Sequence, residues 1–261
     1  NSIFMFKNIW RITIRNLLKK PGFTVTNIAG LGLGMASCLI MSLYVWYDLS
    51  YDDFQEETVY RLALNRVYPE REVDYAFVPH SISPQMVKDF PEVRQQARIV
   101  KVFDPINIRI GEDQYNEVNV IFADSTLFDV LNIPLLEGDP KTALQEKDAM
   151  VITETIAKKL FDRTDVIGEI IETATGPLKV SAVAVDYPKN SHFGFDYLVA
   201  LHAFPFFNQP NWTGFSCLAY IKTSLDADPS LIEEKFPDLI KTYADGEIKA
   251  RNGISYDEYI A

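Results

Sequence analysis

The sequence predicts an α+β protein in which one N-terminal transmembrane helix is followed by a mixed α/β extracytoplasmic domain. Three observations lead to this prediction: an uncharged apolar run over residues 23–47, a change in the sign of charge across that run, and alternating strand and helix patterns over residues 48–261. Because 48% of the 261 residues are apolar, the composition excludes a disordered or collagen-like chain. The part after the run is long enough to bury a core of its own.

The apolar run reads FTVTNIAGLGLGMASCLIMSLYVWY and contains no charged residue. As a helix it would span about 37 Å, which is enough to cross a hydrocarbon core of about 30 Å. A cleaved signal peptide is the alternative, but its apolar region usually has only about 7–15 residues. Tyr44, Trp46 and Tyr47 at the end of the run suit the membrane–water interface. We therefore predict an uncleaved transmembrane helix over residues 23–47.

The charges on the two sides of the run predict its orientation. Residues 1–47 contain five Lys and Arg and no Asp or Glu, which leaves 20 basic and 36 acidic residues to the rest of the chain. Because positively charged flanks remain in the cytoplasm, the N-terminus is predicted to be cytoplasmic and the acidic domain to lie outside. The acidic domain also argues against nucleic acid as a partner, since phosphate binding needs a basic face.

Residues 1–22 are predicted to form a cytoplasmic amphipathic basic helix. The basic residues recur mostly at i, i+4 spacing and are Lys7, Arg11, Arg15, Lys19 and Lys20. The opposite face is apolar and carries Phe6, Ile9, Trp10, Ile14, Leu17 and Leu18. Such a helix suits an anionic leaflet surface, so membrane lipid is the predicted partner of the basic residues. The alternative, a basic flank that only orients the membrane helix, needs the charges but not the ordered apolar face.

Small residues within the run indicate that the membrane helix packs against other helices. Gly30 and Gly34 form a GxxxG pattern, which lets two helix backbones approach closely where lipid supplies no hydrophobic drive. Because glycine is frequent in membrane helices, the pattern is a weak signal by itself.

The domain over residues 48–261 combines strands with short helices. Alternating or short apolar runs rich in β-branched and aromatic residues predict strands over 58–67, 97–103, 106–110, 115–122, 150–153, 170–173, 178–185, 197–201 and 216–222. Capping residues and prolines predict helices over 83–90, 124–131, 154–161 and from 228 to about 243. Glycine-containing turns predict hairpins at 111–113 and 175–177. The polar residues at the end of the chain show no further element.

The order of these elements predicts a divided domain. Residues 54–104 and 214–261 are expected to form one subdomain around a β-α-β unit. Residues 105–213, which contain the hairpins, are expected to form a smaller α+β subdomain inserted between those two segments.

No pattern in the sequence indicates catalysis, a cofactor or a metal. His192 and His202 lie near Asp186 and Asp196, but no HxH, HxxxH or cysteine-rich spacing supports a metal site. No GxSxG motif supports a serine nucleophile. The glycine-rich stretch lies within the membrane run, so it cannot bind a nucleotide phosphate. We therefore predict a non-catalytic protein without cofactors.

Three stretches of the sequence resemble permeases of MacB/FtsX-type ABC transporters. Near the N-terminus, the family's R-N-L…N-x-x-G-L-x-x-G pattern is matched by Arg15, Asn16, Leu17, Asn27, Gly30, Leu31 and Gly34. Residues 123–138 (ADSTLFDVLNIPLLEG) and 151–168 (VITETIAKKLF…IG) resemble the MacB-like periplasmic core domain. Residues 183–196 (VAVDYPKNSHFGFD) do so through the family's turn residues Asp186, Pro188, Asn190, Ser191, His192, Phe195 and Asp196.

The resemblance implies a permease subunit in a bacterial cytoplasmic membrane with its main domain in the periplasm. It implies that the subdomain of residues 54–104 and 214–261 is porter-like. It also implies three kinds of partner: a separate ABC ATPase subunit that binds nucleotide, a second permease copy or half that completes a dimer, and periplasmic or outer-membrane proteins. The turn residues then have a structural role, in which Asn190 and Ser191 bond to nearby backbone. Since such permeases have three further membrane helices, the chain is expected to be the N-terminal part of one.

The alternative is a single-pass membrane sensor with a ligand-binding extracytoplasmic domain. Further apolar spans after residue 261 would favour the permease, and a kinase or cyclase domain there would favour the sensor. An anchored hydrolase has no motif to support it. The predicted topology also implies that Cys38 and Cys217 cannot pair, and that a membrane-impermeant maleimide labels the outer Cys217 in spheroplasts.

Overall fold

The structure is a computed structural model, and it describes residues 2–50, 56, 58–68, 71–188, 191 and 193–260. The chain divides into two compact units, Asn1–Asp53 and Phe54–Ala261.

The N-terminal unit consists of two helices, α1 (Ser2–Lys19) and α2 (Pro21–Leu49). Pro21 begins α2, where its missing N–H costs no hydrogen bond. Thr24 ties the helices together, because its hydroxyl donates to Leu17 O at 2.8 Å. The 29 residues of α2 extend for about 44 Å. By length and composition α2 could cross a membrane, and it contains the whole predicted run 23–47.

The second unit is a mixed α/β domain. Its strands are β1 (Val59–Arg61), β2 (Leu64–Tyr68), β3 (Arg71–Tyr75), β4 (Val93–Lys101), β5 (Ile106–Ile110), β6 (Asp113–Glu117), β7 (Val120–Ala123), β8 (Leu135–Glu137), β9 (Ala149–Thr153), β10 (Ile170–Thr173), β11 (Gly176–Ala184), β12 (Tyr197–Ala200) and β13 (Leu218–Thr223). Its helices are α3 (Ile82–Asp89), α4 (Leu127–Val130), α5 (Glu154–Phe161), α6 (Pro229–Glu233), α7 (Phe236–Asn252) and α8 (Tyr256–Ile260). Two 3₁₀ turns, Leu201–Ala203 and Pro205–Asn208, follow β12.

Eleven strands form one mixed sheet. Ten of them follow the order β1-β13-β4-β7-β12-β9-β11-β10-β5-β6, and β8 pairs with β11 beside this path. The β12–β7 and β11–β9 pairs are parallel, whereas β13–β4, β4–β7 and β12–β9 are antiparallel. An N-terminal apolar helix followed by a mixed α/β domain confirms the predicted fold class.

Two predicted strands are each divided in the structure. The prediction over 58–67 becomes β1, which joins the large sheet beside β13, and β2, which pairs with β3 in a separate hairpin. The prediction over 115–122 becomes the end of β6 and most of β7, separated by Asn119 at a φ of 58°. Because hydrophobic alternation continues across both breaks, the pattern does not show that the chain changes its pairing partner there.

The buried residues form three clusters that bear on the predicted subdomains. The buried members of one cluster come only from residues 54–104 and 214–261, and the buried members of a second come only from residues 105–213. The third draws on both segments, with Ile99 and Leu198 among its members. The sheet also continues across the predicted boundary through the β4–β7 pair. The division into two subdomains stays a prediction.

The end of the chain is more ordered than the sequence indicates. The helix predicted from 228 to about 243 is two helices, α6 and α7, and α7 continues to Asn252. Gly253 then adopts a φ of 74°, the left-handed conformation that commonly ends a helix. Because α8 follows, the expectation of no further element is wrong.

Candidate functional site

The predicted membrane-surface residues lie on α1 or directly after it. Lys7 belongs to α1. Arg11, Arg15 and Lys19 are exposed on the same helix, and exposed Lys20 connects it to α2. Their binding to membrane lipid stays a prediction.

The predicted packing residues, Gly30 and Gly34, lie within α2. A Cβ atom at either position would meet no other atom within 4 Å, so the described part of the chain leaves space beside both. The hydroxyls of Thr26 and Ser37 donate to carbonyls one turn earlier in the helix. These two side chains therefore satisfy the helix's own backbone, and packing against another helix stays a prediction.

The predicted turn residues lie on the connection between β11 and β12. Asp186 accepts hydrogen bonds from Thr155 N at 3.1 Å and Thr155 Oγ1 at 2.6 Å. These bonds attach the connection to the first turn of α5, where a negative charge is favoured by the helix dipole. Pro188 is exposed, and Asn190 and His192 lie outside the described residues.

The rest of this turn makes local contacts. Ser191 Oγ accepts a hydrogen bond from Phe193 N at 3.1 Å. Phe195 is buried, with its ring 5.6 Å from that of Phe193. Asp196 Oδ2 accepts from Asn119 Nδ2 at 3.1 Å. The structural role of the turn residues stays a prediction.

A buried ion pair that the sequence analysis did not single out lies where β4 meets β7. The antiparallel register pairs Ile99 with Ala123, which brings Arg98 beside Asp124. Arg98 donates to the carboxylate through both Nε and Nη2 at 2.8 Å, and through its backbone N at 2.9 Å. The two side chains are only 12% and 10% exposed. Two parallel bonds between a guanidinium and a carboxylate fix their orientation as well as their distance.

Further hydrogen bonds extend this pair into a network. Gln96 Nε2 donates to Asp124 Oδ2 at 3.1 Å, and Gln96 Oε1 accepts from Ser83 Oγ of α3 at 2.9 Å. Arg98 Nη1 donates to the carbonyls of His80 and Phe207. We call Arg98, Asp124, Gln96 and His80 the polar junction. It joins β4, the end of β7, α3 and the second 3₁₀ turn.

The charges of the polar junction stabilise each other. Burial is the largest single effect and opposes the charge on Arg98, but the hydrogen bonds and the negative charge of Asp124 together outweigh it and raise the pKa of Arg98. Because both partners are desolvated, loss of either one would leave an uncompensated buried charge.

His80 is the imidazole member of the polar junction. It is 1% exposed, its Nε2 lies 2.7 Å from Gln209 O, and its Nδ1 lies 3.0 Å from Ser216 Oγ. A carbonyl can only accept, so Nε2 carries the proton and Nδ1 accepts from the hydroxyl. Burial lowers the pKa of His80, although the hydrogen bond to Gln209 opposes this effect.

Helix α7 is attached to the segment that follows the 3₁₀ turns. Glu247 accepts from Trp212 N at 2.7 Å and from the hydroxyl of Thr213. The Trp212 and Tyr243 rings stack at 5.0 Å with an angle of 10° between them. Gln85 of α3 donates to Tyr243 Oη at 2.8 Å. Helices α3 and α7 are thereby fixed to each other and to this segment.

The structure corrects the prediction that Cys217 is readily labelled. Its side chain is completely buried, and its Sγ lies 3.6 Å from Val78 O. Burial raises the pKa of the Cys217 thiol to about 12. Since the thiolate is the reactive species, Cys217 of the folded protein should resist maleimide.

A second feature is a cavity of about 510 Å³, which is lined by β7 and by strands that follow β7 in the order of the sheet. Its walls are mostly apolar and come from strands that are distant in the sequence: Ile108 of β5, Val120 and Phe122 of β7, Met150 of β9, Leu178 of β11 and Val199 of β12. The first 3₁₀ turn adds Ala203, and Phe204 follows it. We call this cavity the apolar cleft. Its size and lining are those of a small-molecule site.

Neither feature was predicted, because each depends on strand pairing. A single sign of the polar junction is present in the sequence: Arg98 interrupts the apolar run ARIV, and Asp124 follows the apolar run VIFA. A charge inside a strand that is buried on both faces requires a partner. The apolar cleft has no such sign, because its lining residues fit ordinary core strands.

Comparisons with known proteins agree with this architecture. A family model described as the MacB-like periplasmic core domain matches residues 24–239. A domain of a candidate permease protein from Porphyromonas gingivalis superposes with a TM-score of 0.66 at 20% identity, covering 76% of this chain and 86% of that one. The periplasmic region of MacB from Actinobacillus actinomycetemcomitans gives 0.54 at 14% identity, covering 75% and 88%. No curated protein sequence matches significantly.

Proposed function

Because the chain belongs to the family of MacB-like periplasmic core domains, we propose that it is a permease subunit of a MacB/FtsX-type ABC transporter. The observation that carries this proposal is the family match over residues 24–239, which includes most of α2 as well as the domain. Members of this family are permease components of transporters and are in general non-catalytic. The N-terminal helix anchors the extracytoplasmic domain to a membrane.

In the proposed mechanism the subunit transmits motion. A separate ABC ATPase hydrolyses ATP in the cytoplasm and moves α2, and α2 moves the periplasmic domain, which drives export or extrusion of a substrate. A second permease copy or half completes the transporter, and periplasmic or outer-membrane proteins receive the motion or the substrate. The basic face of α1 holds the N-terminus at the anionic cytoplasmic surface, where each Lys or Arg contributes about 1 kcal/mol.

The contacts inside the domain support a transmitting role. A body that passes on a displacement must resist deformation between the point where it is moved and the point where it acts. The polar junction fastens α3 to the sheet, the Gln85–Tyr243 hydrogen bond joins α3 to α7, and Glu247 joins α7 to the segment after the 3₁₀ turns. The two parallel bonds between Arg98 and Asp124 fix the orientation of the pair as well as its distance, which favours a rigid joint.

A linker insertion tests whether α2 drives the domain. Ten Gly and Ser residues inserted after Ser50, the residue that directly follows α2, add slack of about 17 Å. The full-length permease is purified with its ATPase and carries a fluorophore at Leu225→Cys, a position that is 95% exposed. We expect ATP to change the fluorescence of the parent but not of the insertion variant, while ATP hydrolysis persists in both.

The matched control places the same ten residues at the turn between β5 and β6, after Gly111, where they lengthen a hairpin without loosening the attachment to α2. This control should keep the ATP-dependent signal. An undiminished signal in the Ser50 insertion variant would refute transmission through α2. Failure of any ATPase to co-purify with the full-length permease would refute the assignment to an ABC transporter.

The proposed topology is tested with the same cysteine. A membrane-impermeant maleimide should label Leu225→Cys in intact spheroplasts, whereas the parent, whose Cys217 is buried, should stay unlabelled until it is denatured. Labelling of Leu225→Cys only after lysis would mean that the domain lies in the cytoplasm. Labelling of the parent through Cys38 would mean that Cys38 does not lie within the membrane.

A further inference from the structure

The apolar cleft is formed by curling of the sheet. In the strand order, β5 lies five places from β7, which would separate them by about 24 Å in a flat sheet. Ile108 of β5 and Val120 of β7 nevertheless line the same cavity and belong to the same buried cluster. The sheet therefore folds over itself here and encloses a volume of about 510 Å³.

The size of the apolar cleft limits what it can hold. A cylinder as wide as an α-helix, about 10 Å, would have this volume at a length of only about 6.5 Å, little more than one turn. A peptide helix is therefore too wide, whereas a small molecule or one hydrocarbon chain fits the volume usual for ligand sites. Val120, Met150 and Val199 are almost completely buried, so the walls offer a ligand carbon and few hydrogen-bonding groups.

The rim of the apolar cleft carries one charge of each sign. Lys147 and Asp148 are adjacent, exposed and both line the opening. Neither side chain forms an ion pair with another residue in the part of the chain that the structure describes. The other polar side chains of the lining, Asn107, Thr173, Thr175 and Tyr197, are uncharged. A head group with a single charge would be attracted by one of these neighbours and repelled by the other.

We propose that the apolar cleft binds a zwitterionic amphiphile with one acyl chain. The chain occupies the cavity, the anionic part of the head group faces Lys147, and the cationic part faces Asp148. Burial of the chain provides most of the affinity, since each CH₂ removed from water adds a favourable contribution. The inference rests on the proposed function only for the source of the ligand, the membrane to which α2 anchors the domain.

Photo-crosslinking with a monoacyl phosphocholine that carries a diazirine in its chain tests the proposal. The full chain is reconstituted in vesicles with this probe, irradiated and digested, and cross-linked peptides are counted by mass spectrometry. Peptides from α2 contact lipid in every variant and serve as the internal standard. We expect cross-links in β5 and β12 at a substantial fraction of those in α2.

Filling the cleft should remove those cross-links. Ala203→Trp and Thr175→Trp each add an indole at a lining residue, the first on the 3₁₀ turn and the second on the turn between β10 and β11. Each should lower the ratio of cleft to α2 cross-links by about tenfold, because the indole takes the volume of the chain. Leu225→Trp, which adds the same ring at a position 95% exposed, should leave the ratio unchanged. Circular dichroism establishes that each variant is folded.

The head group is tested by exchanging it on the same chain. Monoacyl phosphoglycerol, which is anionic, and monoacylglycerol, which is uncharged, should cross-link the cleft several-fold less than the phosphocholine probe. Lys147→Gln should remove the preference over the uncharged probe, and Asp148→Asn should remove the preference over the anionic probe. Equal cross-linking by the three probes would overturn the zwitterionic assignment. Cleft cross-links that persist in both tryptophan variants would overturn the site itself, and neither result would alter the outcome of the linker insertion.

Discussion

The polar junction and the apolar cleft lie on the same sheet, yet the side chains of the first are fully engaged in hydrogen bonds, whereas those of the second face an open volume. In the junction, the Arg98 guanidinium makes four hydrogen bonds, two to the buried Asp124 carboxylate and two to backbone carbonyls. In the cleft, apolar side chains face about 510 Å³ that no described residue fills. A saturated polar network has one good geometry, whereas apolar walls accept many occupants, so the first region fixes shape and the second leaves room for exchange.

The largest effect is expected from breaking the polar junction. Asp124→Ala leaves the Arg98 guanidinium buried without its carboxylate and should lower the free energy of unfolding by about 3–5 kcal/mol. Guanidinium denaturation of the full chain in detergent, followed by circular dichroism, measures this loss. The matched control is Asp165→Ala, whose side chain is 75% exposed beside Arg163 and should cost less than about 1 kcal/mol. Equal losses in the two variants would contradict a structural role for the junction.

The same Val→Ala substitution on each face of the sheet should lower the free energy of unfolding more in the packed core than in the open cleft. Val151 is completely buried in a core cluster, whereas Val199 lines the cleft. Val151→Ala should cost about 2 kcal/mol, because it removes two methyl groups and leaves a cavity. Val199→Ala should cost about 1 kcal/mol, because its methyls already face space. The same denaturation experiment compares them, and a larger loss at Val199 would mean that the cleft is closed in solution.

The smallest effect concerns pH. Because burial lowers the pKa of His80 below its ordinary 6.5, the unfolded chain binds a proton more readily than the folded one. Stability from this group is therefore complete above pH 6.5 and is lost as the pH falls from 7 towards 5. Unfolding measured over this range should show the loss in the parent and a flatter profile in His80→Gln. The range from pH 5 to pH 7 lies above the pH at which ordinary carboxylates titrate. An unchanged slope in the variant would assign the effect to another group.

The bounds of some elements were predicted correctly from signals in neighbouring residues of the sequence. Helix α5 has the predicted bounds because Thr153 caps it, its side chain accepting from Ile156 N, and because Glu154 stands in the first turn. Strand β10 also has the predicted bounds, since a two-residue turn, Ala174 and Thr175, separates it from β11, which begins at Gly176. Each of these signals depends on residues only a few positions apart, so the sequence is sufficient to read them.

Other elements depend on which strands pair with each other, and the hydrophobic pattern does not show this pairing. The break at Asn119 divides one alternating run between β6, at the end of the sheet, and β7, near its middle. The polar junction was missed for the same reason. Arg98 and Asp124 are 26 residues apart, and only the β4–β7 register brings their side chains together.

The sequence by itself determined the apolar helix α2, the basic N-terminus, the acidic domain, and most of its short strands and helices. Charge sign, length of an apolar run and hydrophobic period are properties of consecutive residues, and they act before any distant contact forms. Only the tertiary structure decided which strands are neighbours, how the sheet curls over the apolar cleft, and that Cys217 is inaccessible. These features arise from contacts between residues far apart in the chain, and their stability depends on the burial that the whole fold creates.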